Sequence, residues 1–171
     1  VPEFRQILMS HICRLTGDFD VWRDPLGYGG MLAMGTDIMK DPRGALDSLT
    51  EAFNRLYMWG LANNQRLRDE DLERFIKPTA LGIYTETAKQ MFENEVKKAM
   101  GTAIWHSTKI TEIYAPIFTS LVCRRIYEAS RGIVISRYQE DPKATNRISV
   151  RCFEDLPIDL NKLLSPFGGG G

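Results

Sequence analysis

Apolar residues recur at helical spacing through most of this chain, and the period changes only near the C-terminal end. Phe4, Ile7, Leu8, His11, Ile12 and Leu15 follow Pro2 at intervals that predict a first helix, stopped by Thr16-Gly17-Asp18. Residues 17–30, with Gly17, Pro25, Gly27, Gly29 and Gly30, are expected to form a long loop, and a short Met-rich helix from Met31 to Lys40 follows. The clearest stripe is Leu46, Leu49, Phe53, Leu56, Tyr57, Gly60 and Leu61, which predicts helix over 45–61. Asp69 is placed to cap a short helix with acidic Glu70, Asp71 and Glu73 in its first turn and Leu72, Phe75 and Ile76 inward. Ala88, Met91, Phe92, Val96 and Ala99 predict a helix over 85–100 closed by Gly101. Residues 103–114 and 116–130 read as further helices broken at Pro116, the second turning Ile117, Leu121, Val122 and Ile126 inward. Pro157 opens a last short helix with Leu160, Leu163 and Leu164.

At Gly132 the period becomes two. Residues 133–139 and 147–153 predict an antiparallel pair around the turn-rich Asp141-Pro142-Lys143-Ala144-Thr145-Asn146. In the second strand Ile148, Val150 and Cys152 share one face and Arg147, Ser149 and Arg151 the other, which predicts an exposed Arg/Ser/Arg row. Two strands alone are marginal in water, so the hairpin is expected to lie on the helices. The fold class is therefore mainly α: one globular helical domain over residues 1–167, with a C-terminal β-hairpin at about 133–153, and a flexible glycine tail or linker at 168–171. Leu49, Phe53, Leu56, Phe92, Val96, Leu121 and Ile126 are the expected core.

Composition narrows the function classes without choosing one. An apolar fraction of 43% and a charged fraction of 26% are those of a folded globular protein. Basic and acidic residues balance at 22 each, which removes any bulk attraction to polyanions. The charge is uneven, however: residues 1–60 carry six basic and eight acidic groups, residues 121–152 seven and three. No stretch of about 20 apolar residues is present, so no membrane partner is expected. Three scattered cysteines, Cys13, Cys123 and Cys152, read as free and mostly buried thiols of an intracellular, cytoplasmic protein.

Several motifs fall short of chemistry. Gly30 to Thr36 has the spacing of a phosphate-binding loop, but Thr36 stands where the lysine must be. Gly27-x-Gly29-Gly30 lacks the surrounding βαβ unit of a dinucleotide site. Asp18, Asp20 and Asp24 cluster carboxylates that a hard cation would need, but bulky Val21 and Trp22 interrupt them. His11 and Cys13 point apart on a helix, and nothing brings His106 to Cys123. Met31, Met34, Met39 and Met58 suit a core better than a partner groove. No catalytic residue, metal or cofactor is assigned.

The basic C-terminal third carries the remaining signal. Arg147 and Arg151 come first, then Arg124 and Arg125 on a helix and Arg137 on the partner strand, because the planar guanidinium fork suits phosphate. The expectation is a non-enzymatic, self-assembling structural protein that binds single-stranded nucleic acid through this surface, by physical analogy with coat or nucleocapsid-like subunits. A protein-interaction or adaptor domain without nucleic acid is the alternative, and a metal-dependent enzyme using Asp18, Asp20 and Asp24 a further one.

Overall fold

The structure, a computed structural model, describes residues 6, 10, 13, 27–63, 69–138, 147–152 and 158–168, with the backbone alone for 69, 70, 138 and 147. Gln6, Ser10 and Cys13 are helical and exposed. The described chain is mostly helical with one small sheet. In order it forms α1 (Tyr28–Met39), α2 (Pro42–Asn63), α3 (Asp69–Ile76), α4 (Ala80–Gly101), β1 (Ile104–Ser107), β2 (Ile110–Tyr114), α5 (Thr119–Ser130), β3 (Ile133–Tyr138), β4 (Arg147–Arg151) and α6 (Leu160–Leu164), with a 3-10 turn at Ser165–Phe167. Packing divides the chain into two compact units, Val1–Met91 and Phe92–Gly171, with the boundary inside α4.

In the first unit, sequence punctuation sets the helix ends. The Asp41 carboxylate accepts from Gly44 N at 3.0 Å while Pro42 fills the first helical position of α2. Thr79 does the same for α4, accepting from Gly82 N at 3.2 Å, which explains why α4 begins five residues before the expected Thr85. The stripe of α2 that is buried is Ala45, Ser48, Ala52, Phe53, Leu56 and Gly60, meeting Leu32, Leu72, Ile76 and Leu81 in one core with Tyr28, Met39, Leu49, Trp59 and Phe75 around it. Leu49 is thus half-buried rather than central, and Leu46 and Leu61 are exposed. A stripe of only three or four positions per two turns is covered, so the wider apolar band overshoots it.

The expected loop ends early. Tyr28, Gly29 and Gly30 are already helical in α1; residues 17–26 lie outside the described residues. Gly35 lets α1 approach α4 closely: a Cβ there would sit 2.6 Å from Thr85 Oγ1 and 2.8 Å from Thr85 Cα. Met31 and Met34 are buried and Met58 is exposed.

The second unit departs most from expectation. Residues 103–114 are not a helix but the hairpin β1–β2, which extends the sheet to four strands in the order β1-β2-β3-β4. The physical reason is the local pattern. Ile104, Trp105, Ile110, Thr111, Ile113 and Tyr114 are β-branched or aromatic, and burial alternates along β2, with Thr111 and Ile113 inside and Tyr114 outside. β2 and β3 run parallel, joined through α5, while β3 and β4 form the expected antiparallel pair. Gly132 admits β3 beside the β1–β2 turn: a Cβ there would meet Lys109 O at 2.5 Å, where Ile133 N donates at 2.7 Å.

Helix α5 packs on β3, burying Val122, Cys123, Ile126 and Tyr127 against the face that carries Val134 and Ser136. Ile117, expected on the inner face of this helix, precedes it and is exposed, because Phe118 turns through a left-handed conformation (φ 51°) before Thr119. The Phe118 ring is held edge-on to Phe92 at 6.4 Å between centroids. Val96 is half-buried, whereas Phe92, Leu121 and Ile126 are buried as expected.

Candidate nucleic-acid interface

The sheet has two unlike faces, and the register assigns Arg137 and Arg151 to opposite ones. Directly paired residues share a face, so Arg151 goes with Val134, Ser149 with Ser136, and Arg147 with Tyr138. Because Val134 and Ser136 are fully buried under α5, Ser149 and Arg151 leave the sheet on the helix-covered face, not on the uncovered one that the expected solvent-facing row implies. Arg151 reaches solvent because β4 is the edge strand. Of the opposite row, Ile148 is 61% exposed, while Val150 and Cys152 are half-buried.

Arg151 touches α5 at its start. Its Nη2 donates to Ser120 Oγ at 3.0 Å, in the first helical turn. Arg124 lies one turn further along α5 from Ser120, on the same side of the helix. Among the described residues no carboxylate pairs with Arg151. Its guanidinium also lies close enough to Cys123 to pull that thiol's pKa down, but burial wins and pushes it up to about 11. The buried Ser136 hydroxyl sits by the same thiol, without a hydrogen-bond partner of good geometry among the described residues.

The other expected arginines are held differently. Arg124 Nε meets Glu128 at 3.3 Å with its guanidinium 5.9 Å from the Tyr127 ring, a half-exposed pair worth about 0–1 kcal/mol. Arg125 is more committed: it pairs with Glu93 at 3.3 Å, covers the buried Phe92 ring at 5.6 Å, and its Nε is buried. Arg137 lies on the opposite face, bound through Nε to Glu112, whose side chain is only 14% exposed. Removing Arg137 would leave a largely enclosed carboxylate one partner short. The Arg147 side chain is outside the described residues, but its strand position is roughly 13 Å from that of Arg151.

His106 completes the cluster on the open face. Its Nε2 lies 2.7 Å from Glu112 Oε2, and this bond, with help from the Arg137 charge, holds the Glu112 carboxyl below its usual range. Sequence reading missed this ladder because it placed residues 103–114 in a helix, where His106 and Glu112 are on no common face. His106 is therefore across the sheet from Cys123, and the two cannot act together. Cys13, Cys123 and Cys152 are free, but only Cys123 is buried.

The remaining candidates resolve simply. Asp69, expected to cap α3, is its first helical residue, and its side chain lies outside the described residues. Asp18, Asp20 and Asp24 lie outside the described residues, among which no group of three or more His, Cys, Asp or Glu is arranged to hold a metal ion. Tyr28 is half-buried beside Glu73 and Glu86, and burial with those charges pushes its phenol well above the ordinary range. Among the described residues no helix is long and apolar enough to cross a membrane. No family model, curated protein or solved structure matches the chain.

Proposed function

We propose that this chain is a non-enzymatic, self-associating protein that holds single-stranded nucleic acid along the β4 edge of its sheet. Arg151 is the first phosphate contact, Arg147 follows along the strand, and Arg124 supports from α5. The observation that carries this reading is the Arg151–Ser120 hydrogen bond, which brings the edge-strand guanidinium to the first turn of α5 without a competing carboxylate among the described residues. The unpaired N–H groups of a helix's first turn favour an anion in the same place. Arg125 and Arg137 drop out of the proposed interface, because each already serves the protein's own packing or charge balance. Free Cys13, Cys123 and Cys152 support a reducing, intracellular setting as part of the same proposal.

The test is fluorescence anisotropy with labelled single-stranded RNA and DNA over a range of salt. Changing Arg147 and Arg151 to Glu is expected to weaken binding to every sequence alike and to flatten the dependence of log affinity on log salt. Arg137→Glu is expected to leave affinity for nucleic acid almost unchanged, since it sits on the other face. Unaltered affinity in a folded Arg147→Glu/Arg151→Glu variant would defeat the interface. The alternative of a protein-interaction domain without nucleic acid draws on the exposed apolar residues of the open face, Ile104, Tyr114 and Ile148. The enzyme alternative rests on Asp18, Asp20 and Asp24 alone.

A further inference from the structure

We propose that the open face of the sheet is the surface through which two copies of this chain associate, face to face about a two-fold axis. This rests on the self-association in the function proposed above and names the surface for it. The face is built in rows across the strands. Tyr114, Arg137 and Ile148 are lateral neighbours on β2, β3 and β4; Ile104, Glu112, Ile135 and Val150 form the next row across all four strands. Ile110 and Ile133 follow. Among the described residues, α5 packs on the opposite face. A sheet with aliphatic residues on both faces needs a layer on each, and here Tyr114 is 52%, Ile104 54% and Ile148 61% exposed.

Charge selects the occupant. Among the described residues the face carries one carboxylate and one guanidinium, Glu112 and Arg137, on adjacent strands and adjacent rows, with the His106 ring bonded to Glu112 beside them. A two-fold axis between them sets Arg137 against the partner's Glu112, and Glu112 against the partner's Arg137. This is the reciprocity an isologous contact requires. The Arg137 side chain is 57% exposed and can reach across. Glu112 already accepts from His106 and Arg137 and keeps lone pairs to spare, so covering it strands no unpaired charge. Nucleic acid would meet a surface without net positive charge. Sheets stacked this way lie about 10 Å apart.

The size of the face sets the strength. Four strands about 4.8 Å apart, each contributing some five residues at about 3.3 Å, make a footprint of roughly 300 Å². That is well below the roughly 800 Å² per partner of a stable complex, so the dimer is weak, reversible and dependent on concentration.

The test is sedimentation velocity on the full chain, from low micromolar to several hundred micromolar. The unaltered protein is expected to move from monomer toward dimer across that range. Ile148→Lys, at an exposed edge-strand position, is expected to raise the dissociation constant roughly tenfold or more. Tyr114→Gln serves as a second variant should the first unfold. Arg137→Glu and Glu112→Arg are each expected to dimerise less alone, since each puts like charges in opposition, and to associate when mixed in equal amounts. Dimerisation untouched by Ile148→Lys and Tyr114→Gln would overturn the surface while leaving self-association standing. Absence of preference in the mixed pair would overturn the two-fold charge pairing. A monomer at every concentration would overturn both this surface and the self-association, with nucleic-acid binding still measured independently.

Discussion

Val134 and Arg151 are direct partners across β3 and β4, so their side chains leave the same face of the sheet, yet one is fully buried and the other exposed. The difference comes from position within the sheet. Val134 lies on an inner strand under α5, whereas Arg151 stands on the edge strand, where a long side chain can run past the helix and keep its charged head in water. The bond to Ser120 fixes where that head arrives.

The same arrangement controls the thiol beneath it. Cys123 is fully buried, and burial pushes its pKa up to about 11 despite the Arg151 charge and the Ser136 hydroxyl. Since the thiolate is the reactive species, alkylation of the folded protein at pH 8 is expected to proceed first at exposed Cys13, then at half-buried Cys152, and last at Cys123. Peptide mass spectrometry over a time course checks the order. Early modification of Cys123 would mean that α5 opens readily from the sheet.

Core substitutions should separate the true stripe of α2 from its margin. Phe53 is 1% exposed within the first unit's core, so Phe53→Ala is expected to cost roughly 3–5 kcal/mol in urea unfolding. Leu49 only borders that core, and Leu49→Ala is expected to cost less than about 2 kcal/mol. Equal losses would place Leu49 at the centre after all.

Helix periodicity was legible where the stripe was long. The 3.6-residue pattern located α2 to within three residues at each end and α4 to within one residue at its C-terminal end, while α4 starts five residues earlier than its stripe. The Thr79 cap, which starts α4 five residues before Thr85, lies outside that stripe and was not legible from it. β1 and β2 have four and five residues, too few for either period to declare itself, and the Ser107–Lys109 turn carries no glycine. Pairing of β3 with β4 was legible because Gly132 and the Asp141–Asn146 stretch bracket it. Which face of β4 meets the helix was not. Alternation says that Ile148 and Val150 oppose Arg147 and Arg151; only the route of α5 decides which set is covered. The candidate site inherited that ambiguity. The position of Arg151 was available from its strand, but its partner Ser120 is 31 residues away in sequence.

Acid should weaken the open-face ladder in a defined direction. The bond from His106, together with the Arg137 charge, lowers the Glu112 pKa from its ordinary value of 4.5. A carboxylate with a lower pKa in the folded state adds stability above the unfolded value, and loses it as pH falls through the folded one. Thermal unfolding of Glu112→Gln is therefore expected to begin below the unaltered protein near pH 7, with the gap narrowing from about pH 4.5 downward. A gap that stays constant to pH 3 would assign the loss to packing rather than charge.

Two helical glycines should respond to alanine with opposite signs. Away from tertiary contacts, Gly→Ala stabilises a helix by about 0.5–1 kcal/mol, because glycine surrenders more backbone freedom on folding. Gly101 ends α4 with nothing within 4 Å of an added Cβ, so Gly101→Ala is expected to stabilise by about 0.5 kcal/mol, the lower end because it lies in the last turn. Gly35 sits inside α1, where propensity alone favours the same gain. Its added Cβ would instead lie 2.8 Å from Thr85 Cα and 2.9 Å from Thr85 N, and backbone cannot rotate out of the way as a side-chain tip can. Overpacking of this kind costs about 1–3 kcal/mol, more than the propensity gain, so Gly35→Ala is expected to destabilise. Urea unfolding of both variants beside the unaltered chain reads the two signs directly. Stabilisation by Gly35→Ala would show that α1 and α4 do not approach as closely as the Gly35–Thr85 contact requires.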